Sequence, residues 1–132
     1  MDTETADDEI QWPAPFDYYT PHPETEIRQR LDTITPWVEW IRTMTALDGT
    51  TIPDCWASHG ALLLELDAAY TAYLTFMFPA NSGGQPLSWH YSWAQCKARL
   101  QAYAARTKCD QLGHREDPIK PWTRQTPIEN AT

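Results

Sequence analysis

Two pairs of cysteine and histidine residues carry most of the chemical information in this chain. Cys55 is followed by His59, and Cys109 is followed by His114. Thiolate and imidazole ligands in such closely spaced pairs are typical of structural zinc sites, which bind the ion with four ligands in a tetrahedron. Each pair supplies only two ligands. We therefore predict one structural zinc ion bound by all four residues, linking two distant parts of the chain.

This site sets conditions on the surrounding helices. Residues i and i+4 share a helix face, so Cys55 and His59 are expected in the first turn of a helix. Cys109 would point away from the apolar stripe of the preceding helix, so that helix must end or bend by about residue 107. In the alternative interpretation, Cys55 is a small buried thiol, His59 is a hydrogen-bonded first-turn histidine, and Cys109 and His114 are loop residues.

Apolar periodicity predicts an all-α fold, a three-helix bundle with irregular N- and C-terminal tails. The first helix is predicted over 24–48, kinked or split at Pro36. Thr35 is a suitable N-cap, and proline is favoured at the first position of a new helix. The second helix is predicted from Cys55 to Phe78.

The third helix is predicted from near Pro86 or Ser88 to about Thr107. Its apolar stripe comprises Trp89, Trp93, Cys96, Leu100, Tyr103 and Thr107. Cys96 is therefore interpreted as a core residue, whereas His90 lies off the stripe and is interpreted as a surface or interhelical residue.

The second predicted helix is apolar around nearly all of its circumference. Its narrow polar stripe contains Asp67, Thr71 and Thr75. A helix of this kind must be central, and two flanking helices would not cover it fully. We therefore expect a homodimer or a protein partner. Charged Glu65 and Asp67 argue against a membrane span, because charges in the bilayer interior are costly.

Composition divides the chain into three regions. Residues 1–23 are predicted to be a disordered or extended acidic and aromatic arm, 24–115 a helical domain and 116–132 a proline-rich tail. The alternating aromatic residues and prolines between Trp12 and Pro23 fit two roles: a strap laid over the helices, or a linear segment that binds a partner.

The negative charge is concentrated in the N-terminal part. Residues 1–54 carry 12 acidic and 3 basic residues, whereas 55–132 carry 6 acidic and 7 basic residues. This balance argues against generic binding to DNA phosphates. Two alternatives remain open. The third helix could contact nucleic acid through Lys97, Arg99, Arg106 and Lys108, or the acidic arm together with Asp48 and Asp54 could imitate a nucleic acid and inhibit a host enzyme.

The sequence contains no recognisable catalytic motif, and we predict that the protein is not an enzyme. Ser58 and His59 are neighbours in sequence, which does not place a nucleophile beside a base. The acidic N-terminus does not resemble a signal peptide. Three cysteines without such a signal indicate a reducing cytoplasm, where cysteine near histidine is more often a metal ligand than part of a disulfide.

The middle of the chain resembles a domain-of-unknown-function family of small proteins carried on actinobacterial plasmids and phages. The pattern begins with Cys55-Trp56-x-x-His59 and ends with Cys109-x₄-His114. Between them lie Leu66, Ala68, Ala69, Tyr70, Tyr73, Trp89-x₃-Trp93 and Leu100. The resemblance covers about residues 35–115 and implies an accessory protein of a mobile genetic element. We therefore predict a non-catalytic helical protein, stapled by zinc, that acts through protein–protein interaction.

Overall fold

The computed structural model describes residues 12–81, 83–109 and 114–116. Three α-helices account for most of these ranges: α1 (Glu24–Met44), α2 (Gly60–Phe76) and α3 (Gln85–Thr107). A short 3-10 turn, Trp56–Ser58, precedes α2. The predicted all-α, three-helix architecture is confirmed. The acidic residues of the predicted arm that precede Trp12, and residues 117–132 of the predicted tail, lie outside the described residues.

Helix α1 is continuous through Pro36, so of the two predicted forms the split into two helices is wrong and a single helix containing the proline is found. Thr35 is not an N-cap, because its hydroxyl donates a hydrogen bond to the Leu31 carbonyl, 2.6 Å away. Proline removes one helical hydrogen bond. Burial of the flanking Ile34 and Trp37 supplies packing energy that holds the two halves in one helix.

Helix α2 begins five residues later than predicted, at Gly60 instead of Cys55. The Trp56 N–H donates to the Pro53 carbonyl and the Ser58 N–H to the Cys55 carbonyl, which is 3-10 geometry. His59 then adopts an extended conformation (φ −118°, ψ 117°), and this interrupts the helical path.

The core lies between the three helices, and α2 packs against both α1 and α3. Trp37 on α1 is at its centre and contacts aromatic rings from both other helices: Tyr70, Tyr73, Trp89 and Trp93. The predicted stripe of α3 is buried at Trp89, Trp93, Cys96, Leu100 and Thr107. Apolar periodicity therefore identified the buried face of α3 correctly.

The segment that precedes α1 lies along α2. The Tyr18 hydroxyl donates to an Asp67 carboxylate oxygen at 2.5 Å, and the rings of Trp12 and Phe78 are 4.6 Å apart. Asp67, which belongs to the polar stripe predicted from the sequence, is therefore buried. This arrangement corresponds to the strap interpretation of residues 12–22, and one flank of the apolar α2 is covered by its own chain.

Among the described residues, no helix is both long enough and apolar enough to cross a membrane.

Candidate metal centre

The first half of the centre is built on the 3-10 turn. Its residue Trp56 is buried and fixes the turn against the core. Cys55 caps the turn at one end and His59 at the other. The His59 carbonyl accepts the Leu63 N–H at 2.9 Å, so the same residue is also the N-cap of α2. Cys55 and His59 thus converge across a turn, and the predicted common face of an α-helix is wrong.

The second half depends on how α3 ends. Lys108 adopts a left-handed conformation (φ 58°, ψ 22°), which stops the helix after Thr107. The Thr107 hydroxyl donates to the Ala104 carbonyl at 2.7 Å and accepts the Cys109 N–H at 3.1 Å. The chain reversal turns Cys109 back toward His59. The sequence required α3 to end by about residue 107, and it ends there.

The four predicted ligands lie together at the junction of these two halves. One donor atom from each of Cys55, His59, Cys109 and His114 lies within 4.8 Å of all the others. The His59 Nε2 is 3.5 Å from the Cys55 sulfur and 3.4 Å from the Cys109 sulfur. The His114 Nδ1 is 3.7 Å from the Cys109 sulfur.

The three sulfur–nitrogen separations match those of a tetrahedral zinc site. With Zn–S bonds of about 2.3 Å and Zn–N bonds of about 2.0–2.1 Å, sulfur and nitrogen ligands lie about 3.5 Å apart across a tetrahedral angle. Three sulfur–nitrogen distances in the cluster are 3.4, 3.5 and 3.7 Å. The side chains are therefore placed to accept a cation without a large rearrangement.

Two further groups support the C-terminal ligands. The Arg115 N–H donates to the Cys109 sulfur at 3.1 Å. The second ring nitrogen of His114, Nε2, lies 3.1 Å from a Glu116 carboxylate oxygen. A carboxylate that accepts the other N–H of a metal-binding histidine fixes the ring and makes it a better ligand. Glu116 was not identified from the sequence. Its position two residues after His114 is the feature that could have indicated this role.

Contacts among the side chains of the cluster shift the pKa values of its cysteines and of His114. Burial, followed by the hydrogen bond and charge of Cys109, raises the pKa of the Cys55 thiol to about 11. Burial acts in the same direction on Cys109, but hydrogen bonds from the Arg115 N–H and from neighbouring side chains outweigh it and lower the pKa of Cys109 to about 6. Burial also opposes protonation of His114, yet Glu116 and Cys109 raise its pKa. At neutral pH the cluster therefore contains one thiolate, Cys109, and one thiol, Cys55. A bound divalent cation would favour ionisation of both sulfurs.

A groove of about 1000 Å³ adjoins the cluster and exposes part of it to solvent. Pro53, Ala104 and Lys108 are among the residues that line it, together with Cys55, Cys109 and His114. His59 lies on the opposite, buried side and is 2% exposed. The cluster is therefore closed toward the core and open toward the groove.

The other chemically interesting residues of the sequence lie outside this cluster. Cys96 is buried on α3 as expected, and His90 is exposed. Arg99, from the basic set of α3, makes a bidentate ion pair with Glu65 of α2. The other carboxylate of α2, Asp67, binds Arg30 instead. Each carboxylate of α2 is thus neutralised by an arginine.

Searches of protein-family models, curated proteins and solved structures found no match to this chain. The interpretation of the centre therefore rests on its geometry.

Proposed function

We propose that the protein is a non-catalytic helical module whose C-terminal end is stapled to the start of α2 by structural zinc. The observation that carries this proposal is the group of four cysteine and histidine donor atoms within 4.8 Å of one another. Two sulfur and two nitrogen ligands are a common donor set of structural zinc. Hard cations such as magnesium and calcium prefer oxygen ligands instead.

The donor count favours a structural role over a catalytic one. Catalytic zinc keeps one coordination position open for water or substrate, whereas structural zinc uses four protein ligands. Cys55, His59, Cys109 and His114 would fill the tetrahedron. Zinc here would join the turn before α2 to the end of α3 and leave no position for a reacting molecule.

Elemental analysis of protein purified without chelators tests the metal. We expect one zinc ion per chain. His59→Ala and Cys109→Ser should lose it, because each removes one of four ligands. The controls are His90→Ala and Cys96→Ala, which delete the same residue types outside the cluster and should retain zinc. Wild-type protein that neither contains zinc nor binds added zinc would rule out the staple.

The module is proposed to act through contacts with another protein chain. Large apolar side chains remain exposed on two helices: Leu87 and Tyr91 on α3 are 73% and 70% exposed, and Met44 on α1 is 64% exposed. Leu87 and Tyr91 are one helical turn apart, so they form a pair on one face. Aromatic residues and methionine, the types of Tyr91 and Met44, are enriched where proteins bind each other.

Light scattering over a range of concentrations tests the simplest partner, a second copy. Tyr91→Glu should weaken self-association, whereas the control Gln29→Glu, which adds the same charge at an exposed position near the start of α1, should not. A monomer at every concentration, together with no protein partner in pull-down experiments, would contradict this part of the proposal.

The nucleic-acid alternative has less support. Of its four basic residues, Arg99 is already paired with Glu65, at 2.8 Å, and Arg106 lies over the Tyr103 ring. The alternative in which the acidic arm imitates a nucleic acid depends largely on residues outside the described ranges. Origin from a phage or plasmid, implied by the family resemblance, stays a prediction.

A further inference from the structure

We infer that Cys55 and Cys109 are a redox-sensitive pair, and that their oxidation to a disulfide releases the zinc. This inference rests on the proposed zinc site and concerns its regulation. Its first support is the distance between the two sulfurs, which is no more than 4.8 Å. A disulfide requires the sulfurs to approach to about 2.05 Å. The side chains therefore have a short distance to close.

The second support is access. Both Cys55 and Cys109 line the solvent-open groove, and both are partly exposed. A small oxidant can therefore reach the sulfurs along the groove. The third cysteine, Cys96, is 8% exposed in the core between α2 and α3. The chain thus offers two accessible cysteines that are close together and one that is protected.

The chemistry is a two-electron oxidation by a hydroperoxide. One thiolate attacks the peroxide oxygen, the O–O bond breaks, and a sulfenic acid and one hydroxide or alkoxide ion form. The second thiolate then attacks the sulfenic sulfur, the S–S bond forms and hydroxide leaves. Two thiolates have lost two electrons in total, and the peroxide has gained them. Because neither sulfur of a disulfide carries the negative charge of a thiolate, both stop being good zinc ligands, and the two histidines alone hold the ion weakly.

The consequence for the fold is an exchange of one staple for another. Zinc and the disulfide connect the same two segments, the turn before α2 and the reversal after α3. Oxidation would therefore release the metal without separating these segments. It would end the coordination of His59 and His114 to the metal and change the wall of the groove.

The test uses the full zinc-loaded chain and hydrogen peroxide. Zinc release is followed with a chromogenic chelator, and peptide mapping by mass spectrometry locates any disulfide. We expect zinc release to coincide with a Cys55–Cys109 crosslink, and a thiol reductant with added zinc to restore the site. The Cys96→Ala variant should behave like the wild type.

Four results separate this inference from the proposed function. Zinc that stays bound under peroxide overturns the redox pair. Zinc loss that is accompanied only by sulfinic acid or by intermolecular crosslinks overturns it as well. Neither result contradicts the proposal that the four residues bind structural zinc. Protein that never binds zinc overturns the staple and, with it, the release step. A crosslink that involves Cys96 also contradicts the inference, because the two groove cysteines would then not be the reactive pair.

Discussion

Glu116 is the residue through which the centre can be weakened without removing a ligand. Its carboxylate lies 3.1 Å from the His114 Nε2. In Glu116→Gln the neutral amide would orient and polarise the imidazole less. We expect zinc affinity to fall by about 10-fold, the lower end of the range for such partners because this one is exposed. Competition with a chromogenic chelator measures the change, and Glu39→Gln, which alters a carboxylate on α1, is the control. Equal affinities for wild type and Glu116→Gln would show that this contact does not support the ligand.

Tyr18 gives the fold a dependence on alkaline pH. Burial, with the hydrogen bond to Asp67 and the charge of Asp67, raises the pKa of the phenol above its usual value. A raised pKa in the folded state means that the phenol stabilises the fold fully below the unfolded pKa of about 10, and that this stability is lost as the pH rises above it. The free energy of unfolding should therefore fall with pH above about 10, by up to about 1.4 kcal/mol per pH unit from this one group.

Tyr18→Phe removes the ionisation and should make that fall shallower. Urea unfolding at several alkaline pH values measures the slope. Tyr19→Phe removes the hydroxyl of an adjacent tyrosine that is 80% exposed, and serves as the control. If Tyr18→Phe had the same slope as the wild type, the phenol would not be the group that titrates against folding.

At the scale of elements, the end of α3 determines whether the centre can form. Lys108 holds a left-handed conformation, which costs a residue with a side chain roughly 1 kcal/mol relative to glycine. Lys108→Gly should therefore raise the free energy of unfolding by up to about 1 kcal/mol and retain zinc. Lys108→Val should lower it by about 1 kcal/mol or more and weaken zinc binding, because a β-branched residue resists this backbone conformation.

The matched control is Lys97→Gly, the same substitution in the interior of α3. It should destabilise by about 1 kcal/mol, because glycine is a poor helix former. Urea unfolding compares the variants. Destabilisation by both glycine substitutions would contradict the role assigned to the Lys108 backbone.

The two ion pairs of α2 should differ in their contribution to stability. Arg30 and Asp67 are largely buried, with side chains 16% and 4% exposed, whereas Arg99 is 48% exposed in its pair with Glu65. Asp67→Ala leaves a mostly buried guanidinium unpaired and should cost about 3 kcal/mol. Glu65→Ala leaves Arg99 free to reach water and should cost less than about 1 kcal/mol. Similar losses in the two variants, measured by urea unfolding, would show that burial does not distinguish the pairs.

These elements also show what the sequence could reveal. The buried stripe from Trp89 to Thr107 was predictable, because apolar residues that recur at helical spacing indicate the buried face of a helix. The start of α2 was not, since the 3-10 turn and the extended His59 depend on packing of Trp56 into the core. The burial of Asp67 was also not predictable from the sequence, because Asp67 is covered by Tyr18 and Arg30, which are distant from it in the sequence. The ligand set could be proposed from residue types and spacing, whereas its assembly required the left-handed turn at Lys108.

At the scale of the molecule, the aromatic core and the cluster of four ligands are separate sources of stability. The core is formed by buried side chains of all three helices around Trp37, and none of the four proposed ligands belongs to its apolar set. Loss of zinc should therefore leave the helices assembled. This differs from small zinc domains without a sufficient core, which unfold when the metal is removed.

Chelation tests this division. A ligand that binds only the folded state stabilises it by about 2.7 kcal/mol when its free concentration is 100 times the dissociation constant. For a domain of this size, each kcal/mol corresponds to about 4–8 °C in the melting temperature, so removal of zinc should lower it by about 10–20 °C. The helical circular dichroism signal at room temperature should change little, and chelator should have no effect on Cys109→Ser. Loss of the helical signal on chelation would mean that zinc holds the core together, not only its C-terminal end. An unchanged melting temperature would mean that the four side chains meet without binding a metal.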